Sequence, residues 1–195
     1  MDKLLREILQ ESQDKKKIIG IRIYGHEDSF YSGYIQSFNE QICQIRHFST
    51  YGKDDGIIVE KIEGIENIEY NEDYSESQQY IVQKNEEIDK SNLKDYIFDL
   101  SENWKYENLK KFVGQKIIVN IENSKMEKIC GFVNRVTESE LIMNAIGELG
   151  QDEGLSYYKL EDINSIQPDD LECRKRLCLY KWKTNNKEKP VANKR

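Results

Sequence analysis

The chain has 195 residues, of which 37% are hydrophobic and 33% are charged, and its formal net charge is −7. This composition is typical of a soluble globular protein, and no apolar run approaches the roughly 20 residues that a membrane-spanning helix needs. The N-terminal segment mixes acids with bases and has no uninterrupted apolar core, so it does not resemble a signal peptide. We therefore expect a cytoplasmic protein.

The first part of the chain predicts one helix followed by five short strands. Residues 3–9 carry an apolar stripe at helical spacing, formed by Leu4, Leu5, Ile8 and Leu9. From Ile19 onward the apolar residues alternate with polar ones, which is typical of half-buried strands. A polar turn is predicted at residues 25–29, and the strands at residues 19–23, 31–38, 42–48, 57–62 and 80–82.

Residues 84–113 lose this alternation and predict a packed helical connector. Ser91 is a candidate N-cap, and apolar residues follow it at helical spacing from Leu93 to Trp104. A second apolar stretch continues to Val113 after a break at residues 101–103.

The remaining part repeats the plan of the first. Residues 17–72 align without a gap with residues 115–170 at a constant offset of 98. Matched positions include Ile19/Ile117, Ile23/Ile121, Gly33/Gly131, Glu40/Glu138, Gly52/Gly150, Asp54/Asp152, Gly56/Gly154, Glu63/Glu161 and Ile68/Ile166. The second set of strands is predicted at residues 117–121, 130–136, 141–146, 155–160 and 177–180. Such a fixed period predicts a duplicated domain of one topology.

The predicted organisation is therefore a helix and first small barrel at residues 1–83, a helical connector and second small barrel at residues 84–183, and a basic tail at residues 184–195. The fold class is mainly β with helices: two tandem five-stranded small barrels, each preceded by a helix.

Four cysteines, at positions 43, 130, 173 and 178, form no CxxC pair, and two of them lie inside apolar strand patterns. We expect all four to be reduced. Neither His26 nor His47 stands at ligand spacing from a cysteine or from the other histidine. We predict no metal and no cofactor.

The charge is unevenly distributed along the chain. Residues 173–195 carry nine Lys/Arg residues against one acid, whereas residues 1–172 carry 20 bases and 35 acids. The body of the protein should repel a phosphate backbone and the C-terminal segment should attract one.

Acidic segments between glycines recur as Gly52 to Gly56 and Gly150 to Gly154. Glycine provides positive φ, and Asp caps its own turn, so both segments predict tight connections. The paired acids lie in predicted turns, and the sequence has no nucleophile elbow, phosphate-binding glycine loop, HExxH or dinucleotide fingerprint. We expect no catalytic activity.

The segment from Gly33 to Ile45 resembles the first signature of the Sm-like family. That signature has a glycine, an aliphatic residue two positions on, a large apolar residue, an Asp, and an apolar-Asn-apolar strand. Residues 62–68 are similar to the second signature, an aliphatic-Arg-Gly segment. The resemblance covers most of each copy and implies an SH3-like small barrel.

In RNA-binding members of that family, the Asp and Asn of the first signature and the Arg of the second form a base pocket. The corresponding positions here are Asn39, Cys43 and Glu63 in the first copy, and Thr137, Leu141 and Glu161 in the second. Glu in place of Arg repels phosphate, and Leu141 cannot hydrogen-bond a base. We expect no RNA pocket.

These observations favour a non-catalytic protein that binds another protein, with an inhibitor or immunity-type module as one version, through an acidic surface that suits a basic partner. The candidate partner-binding residues are Tyr31, Tyr34, Tyr51, Asp54, Asp55, Asp152 and Glu153. The alternative is nucleic-acid binding by the basic C-terminal segment. Its candidate residues are Arg174, Lys175, Arg176, Lys181, Trp182 and Lys183.

Overall fold

The computed structural model describes residues 1–25, 30–93 and 96–187, with only the backbone of Lys187. The chain forms two compact units, Met1–Asn85 and Glu86–Arg195, called unit 1 and unit 2 below. His26, most of the predicted turn at residues 25–29 and the last eight residues of the predicted tail lie outside the described residues.

Unit 1 is built in the order helix, five strands, helix. Its elements are α1 (Lys3–Lys15), β1 (Ile19–Ile23), β2 (Phe30–Phe38), β3 (Ile42–Phe48), β4 (Asp54–Lys61), β5 (Ile65–Glu69) and α2 (Asp73–Ile88). The apolar stripe of α1 buries Leu9 completely. The helix ends at Lys16, whose φ of 49° is left-handed.

Unit 2 follows the same order. Its elements are α3 (Trp104–Lys110), β6 (Val119–Asn123), β7 (Lys128–Val136), β8 (Glu140–Ile146), β9 (Asp152–Lys159), β10 (Ile163–Pro168) and α4 (Leu171–Lys187). In each unit a single 3-10 turn precedes the fifth strand, at Ile62–Gly64 and at Leu160–Asp162.

The two sheets have the same topology, which confirms the predicted duplication. Both are antiparallel, with strand orders β4-β3-β2-β1-β5 and β9-β8-β7-β6-β10. Gly33 pairs with His47 and Gly131 with Ala145, at the offset of 98. However, the two predicted small barrels are not closed. The first and last strands of each order are the two edges, and no ladder joins them in the described residues, so each sheet is open.

The predicted gapless alignment is also wrong in the first strand. Ile19 pairs with Gly33, but the residue that pairs with Gly131 is Val119, not Ile117. Helix α1 and strand β1 therefore correspond to α3 and β6 at an offset of 100, and the second hairpin is two residues shorter. Because side chains alternate between faces with a period of two, this shift leaves the apolar pattern intact and hides the gap.

The predicted fifth strands at residues 80–82 and 177–180 are parts of helices α2 and α4. The true fifth strands are β5 and β10, which pair with β1 and β6. In α4 the apolar contacts are made by Cys173, Leu177 and Tyr180, which have the i, i+4, i+7 spacing of a helix face.

The connector is packed, but it is mostly not helical. Between Ile88 and β6, the only helix among the described residues is Trp104–Lys110. Ser91, the predicted N-cap, instead donates its hydroxyl hydrogen bond to Asp169 at 2.9 Å. The buried Asn108 side chain accepts the Asp99 N–H at 2.9 Å and donates to the Asp99 carbonyl at 2.9 Å, so side chains hold this segment in place of helical hydrogen bonds.

Each sheet has a buried apolar core on one face. In unit 1 this core joins Leu9 to Ile19, Ile21, Ile35 and Ile45. In unit 2 it joins Leu109 and Phe112 to Val119, Ile121 and Met143. Unit 2 has a second cluster where α4 packs, formed by Ile118, Cys130, Ile146, Cys173 and Leu177. None of the described helices is long and apolar enough to cross a membrane.

Glycines position the last helix of each unit against the turn before its edge strand. Gly52 and Gly150 both have φ of +76°. A Cβ at Gly52 would lie 2.7 Å from the Ile81 carbonyl oxygen in α2, and one at Gly150 would lie 2.5 Å from Leu179 Cβ in α4. The turn and the helix therefore approach each other as closely as glycine allows.

Candidate binding surfaces

One of the two edge strands in each unit, β4 in unit 1 and β9 in unit 2, presents apolar side chains on its outer face. In β4, Ile57 and Val59 are 49% and 53% exposed, while Ile58 packs on the core. In β9, the corresponding Leu155 and Tyr157 are 66% and 56% exposed. Each pair of exposed side chains is called the edge-strand face of its unit below. Because they recur at equivalent positions, exposed apolar area is a shared property of the two units.

The sequence-based site prediction missed these four residues. A signal was present, because Ile57, Ile58 and Val59 are three consecutive apolar residues in a strand. In a half-buried strand, neighbouring side chains point to opposite faces, so such a run must expose at least one of them.

The predicted acids lie at the start of the same two strands. Asp54 accepts the Gly56 N–H at 2.9 Å, and Asp152 accepts the Gly154 N–H at 2.9 Å. The Gly56 hydrogen bond, supported by Arg46, holds the pKa of Asp54 below its ordinary value. These two carboxylates therefore bond the backbone at the start of β4 and β9, where the sequence predicted turns.

The other two predicted acids are exposed. The Asp55 carboxylate lies 3.2 Å from His47 Nδ1, and Glu153 accepts a hydrogen bond from the Gln151 amide at 3.2 Å. The ladder is irregular at both positions, so the regular alternation of faces does not run from Asp55 to Ile57 or from Glu153 to Leu155. Both carboxylates add negative charge near the start of β4 and β9.

The three predicted tyrosines do not form one cluster. Tyr31 packs against the core of unit 1, with its ring 5.9 Å from the His47 ring. Tyr34 is half-buried, and its ring lies 5.9 Å from the Phe48 ring. Tyr51 is half-buried in the turn before β4. Of the three, Tyr34 is the nearest to Ile57 in the sheet, since both flank Arg46 in the ladders.

Unit 2 contains a cleft of about 490 Å³ between the start of α3 and the ends of β8 and β9. This volume lies in the range of about 300–1,000 Å³ that is usual for ligand pockets. Three aromatic residues, Trp104, Tyr106 and Tyr157, and four glutamates, at positions 102, 138, 140 and 161, line it together with Lys105 and Lys159. The sequence did not reveal this cleft.

Four of the six positions that would form an Sm-like base pocket have structural roles. The Asn39 side chain accepts the N–H groups of Gln41 and Ile42 at 2.8 and 2.9 Å, and Thr137 accepts that of Glu140 at 3.1 Å. Cys43 and Leu141 are fully buried in their cores. In both units, these side chains therefore either form hydrogen bonds within a turn or pack in the core.

The basic residues of α4 largely bond within unit 2. Arg174 donates to the Asp169 carbonyl. Lys175 and Arg176 pair with Glu172 at 2.9 and 2.8 Å. Burial opposes ionisation of Glu172, but these two partners hold its pKa below the ordinary value.

Of the other three residues predicted for nucleic acid, Lys181 is exposed, while Trp182 and Lys183 are half-buried. The structure therefore does not bring the six residues together as one exposed basic surface.

All four cysteines are free thiols, of which Cys43, Cys130 and Cys173 are buried. Burial raises the pKa of Cys43 to about 11. The hydrogen bond with Cys130, together with burial, raises the pKa of Cys173. A buried thiol of high pKa is protonated at neutral pH and reacts slowly.

We expect thiol titration of the denatured, non-reduced protein to find four free thiols. In the native protein, Cys178 should react with a thiol reagent well before the other three, because it alone is only half-buried. Two missing thiols after denaturation would show that a disulfide forms and would contradict this prediction.

Among the described residues, no group of three or more His, Cys, Asp or Glu side chains is arranged to hold a metal ion. Comparison with protein-family models, curated proteins and solved structures found no match to the chain.

Proposed function

We propose that this is a non-catalytic binding protein that engages a basic protein partner through its edge-strand faces. The observation that supports this most directly is the recurrence of exposed apolar pairs, Ile57 with Val59 and Leu155 with Tyr157, at equivalent positions of both units. Exposed apolar area with charged surroundings is typical of surfaces that bind proteins. An inhibitor or immunity-type protein is one form that this function takes.

The charge of the chain supports a basic partner. Residues 1–172 carry 35 acids against 20 bases. Asp55 and Glu153 precede the apolar pairs in the same strands, and the exposed Glu63 and Glu161 follow those strands. Complementary charge accelerates encounter and rejects acidic competitors, while the apolar pairs provide buried area once the partner has docked.

We also infer that each unit is a divergent, Sm-like repeat without the RNA-binding residues of that family. The structural roles of Asn39, Thr137, Cys43 and Leu141 support the loss of the base pocket. This inference favours protein rather than RNA as the partner. The internal bonding of Arg174, Lys175 and Arg176 also weakens the nucleic-acid alternative.

The test is a quantitative pull-down from native cell extract, with and without nuclease. Two double variants, I57S/V59S and L155S/Y157S, remove the edge-strand faces. The matched control is I97S/L100S, because Ile97 and Leu100 are 83% and 91% exposed but lie outside the sheets. We expect basic proteins to be retained by the wild type and the control, to be lost with at least one double variant, and to resist nuclease.

Two results would contradict the proposal. One is recovery of the same proteins by both double variants. The other is release of the captured proteins by nuclease, which would favour the nucleic-acid alternative.

A further inference from the structure

Glu40 in unit 1 and Glu138 in unit 2 occupy equivalent positions but differ in their ion pairing. Glu40 and Glu138 both follow the residue that caps the β2–β3 or β7–β8 turn, since Asn39 N–H bonds the Ile42 carbonyl and Thr137 N–H bonds the Glu140 carbonyl. They therefore occupy the same place in the two sheets. In unit 1 the Glu40 carboxylate forms an ion pair with the Arg6 guanidinium of α1.

In the part of unit 2 that the structure describes, Glu138 has no such internal cation. At the offset of 100 that aligns α1 with α3, the fully buried Leu9 and Leu109 coincide. Arg6 then corresponds to Tyr106, and Leu4 to Trp104. Among the described residues, Glu138 forms no hydrogen bond or ion pair, and it faces the cleft that Trp104, Tyr106 and Tyr157 line.

The two lysines of the cleft are already engaged. Lys105 Nζ donates to the backbone carbonyls of Leu160 and Glu161 at 2.8 and 3.2 Å, and it lies 5.9 Å from the centre of the Trp104 ring. Lys159 Nζ lies 3.4 Å from the Glu161 carboxylate.

Among the four glutamates, Glu140 accepts the Tyr157 hydroxyl at 3.1 Å, and Glu161 has Lys159. Glu102 and Glu138 remain without a partner among the described residues. The cleft therefore keeps uncompensated negative charge beside aromatic rings.

We propose that this cleft binds the guanidinium group of an arginine side chain from a protein partner. A guanidinium pairs with a carboxylate through parallel hydrogen bonds and stacks on aromatic faces, so Glu138 and the rings of Trp104 and Tyr157 suit it together. The arginine forms with Glu138 the ion pair that Arg6 forms with Glu40. The inference rests on the proposed function in one respect, namely that a basic protein supplies the arginine.

The direct test is an NMR titration of the full chain with blocked arginine, as the peptide acetyl-Gly-Arg-Gly-amide. We expect millimolar binding that shifts the Trp104 indole N–H signal, which the W104F variant assigns. The matched neutral probe contains citrulline, which keeps the shape of arginine without the charge, and should bind at least tenfold more weakly. Free L-arginine is the third probe, because it offers the same guanidinium from a small molecule.

Three variants locate the binding. E138Q should weaken the binding of blocked arginine at least fivefold. Y106R should abolish binding, because it places in unit 2 the internal cation that unit 1 has. The control E40Q removes the equivalent charge from unit 1 and should leave the affinity unchanged. The thermal unfolding midpoint of each variant checks that the fold is retained.

The proposal is overturned if citrulline binds as well as arginine, or if E138Q binds arginine as the wild type does. Tighter binding of free L-arginine than of the blocked peptide would overturn the assignment to a protein partner. This titration needs no partner protein, so a negative result overturns only the proposal that the cleft binds arginine. The proposed function fails separately, through the pull-down with the edge-strand variants.

Discussion

Replacement of Gly150 by alanine should destabilise the protein by about 3 kcal/mol, since a left-handed backbone costs an L-residue about 1–2 kcal/mol and overpacking about 1–3 kcal/mol. The new methyl group would stand 2.5 Å from Leu179 Cβ and 2.6 Å from the Tyr180 backbone nitrogen. Because backbone atoms of α4 block it, the turn or the helix must move. Urea unfolding measures the loss through tryptophan fluorescence, and both tryptophans, Trp104 and Trp182, lie in unit 2.

The matched control is Gly154→Ala. Gly154 has a similar φ of +85°, but a Cβ there would meet no atom within 4 Å. Only the backbone cost remains, so we expect a loss of about 1 kcal/mol. Equal losses at the two glycines would show that the close approach of turn and helix does not constrain unit 2.

Leu109→Ala should cost about 2–5 kcal/mol, as is usual when a fully buried leucine is truncated and leaves a cavity. Leu109 has no exposed surface and joins α3 to the core of unit 2. The same urea experiment measures the effect. Leu100→Ala is the control, because Leu100 is 91% exposed and its truncation should change stability by less than about 0.5 kcal/mol.

A small loss for Leu109→Ala would contradict both its place in the core and the offset of 100 between α1 and α3. The constant offset of 98 places Leu9 on Glu107 instead, and Glu107 is a half-buried residue that pairs with Lys110. The stability of this variant therefore tests whether Leu109 occupies in α3 the buried position that Leu9 occupies in α1.

Sequence periodicity predicted the middle strands of each sheet well, because β2, β3, β7 and β8 alternate over seven to nine residues. It failed where the pattern was short. Three apolar residues at 80–82 fit a strand or a helix equally, and only the contacts of α2 and α4 decide between them. Sheet closure was not predictable either, since it depends on whether edge strands meet and not on the residues within each strand.

The sequence indicated the local hydrogen bonds of the acidic segments but not their place in the fold. Asp54 and Asp152, predicted in turns, are the first residues of β4 and β9, although each carboxylate accepts the N–H of the glycine two residues on. The cleft escaped prediction because its walls come from residues 102–106 and 138–161, which are far apart in the chain. The equivalence of Glu138 and Glu40 depends on the pairing registers of both units, and these registers are a property of the fold.

The buried thiols give each half of the molecule its own chemical reporter of unfolding. Cys43 lies in the core of unit 1, whereas in unit 2 Cys173 belongs to α4 and Cys130 lies in the cluster on which α4 packs. Ser32 and Ser75 occupy the places in unit 1 that correspond to Cys130 and Cys173, so the cysteines that report on each half are chemically distinct and separable by peptide mapping. Labelling rates measured at Cys43 and at the Cys130–Cys173 pair, without any engineered probe, would therefore reveal whether the duplicated halves open together or one at a time.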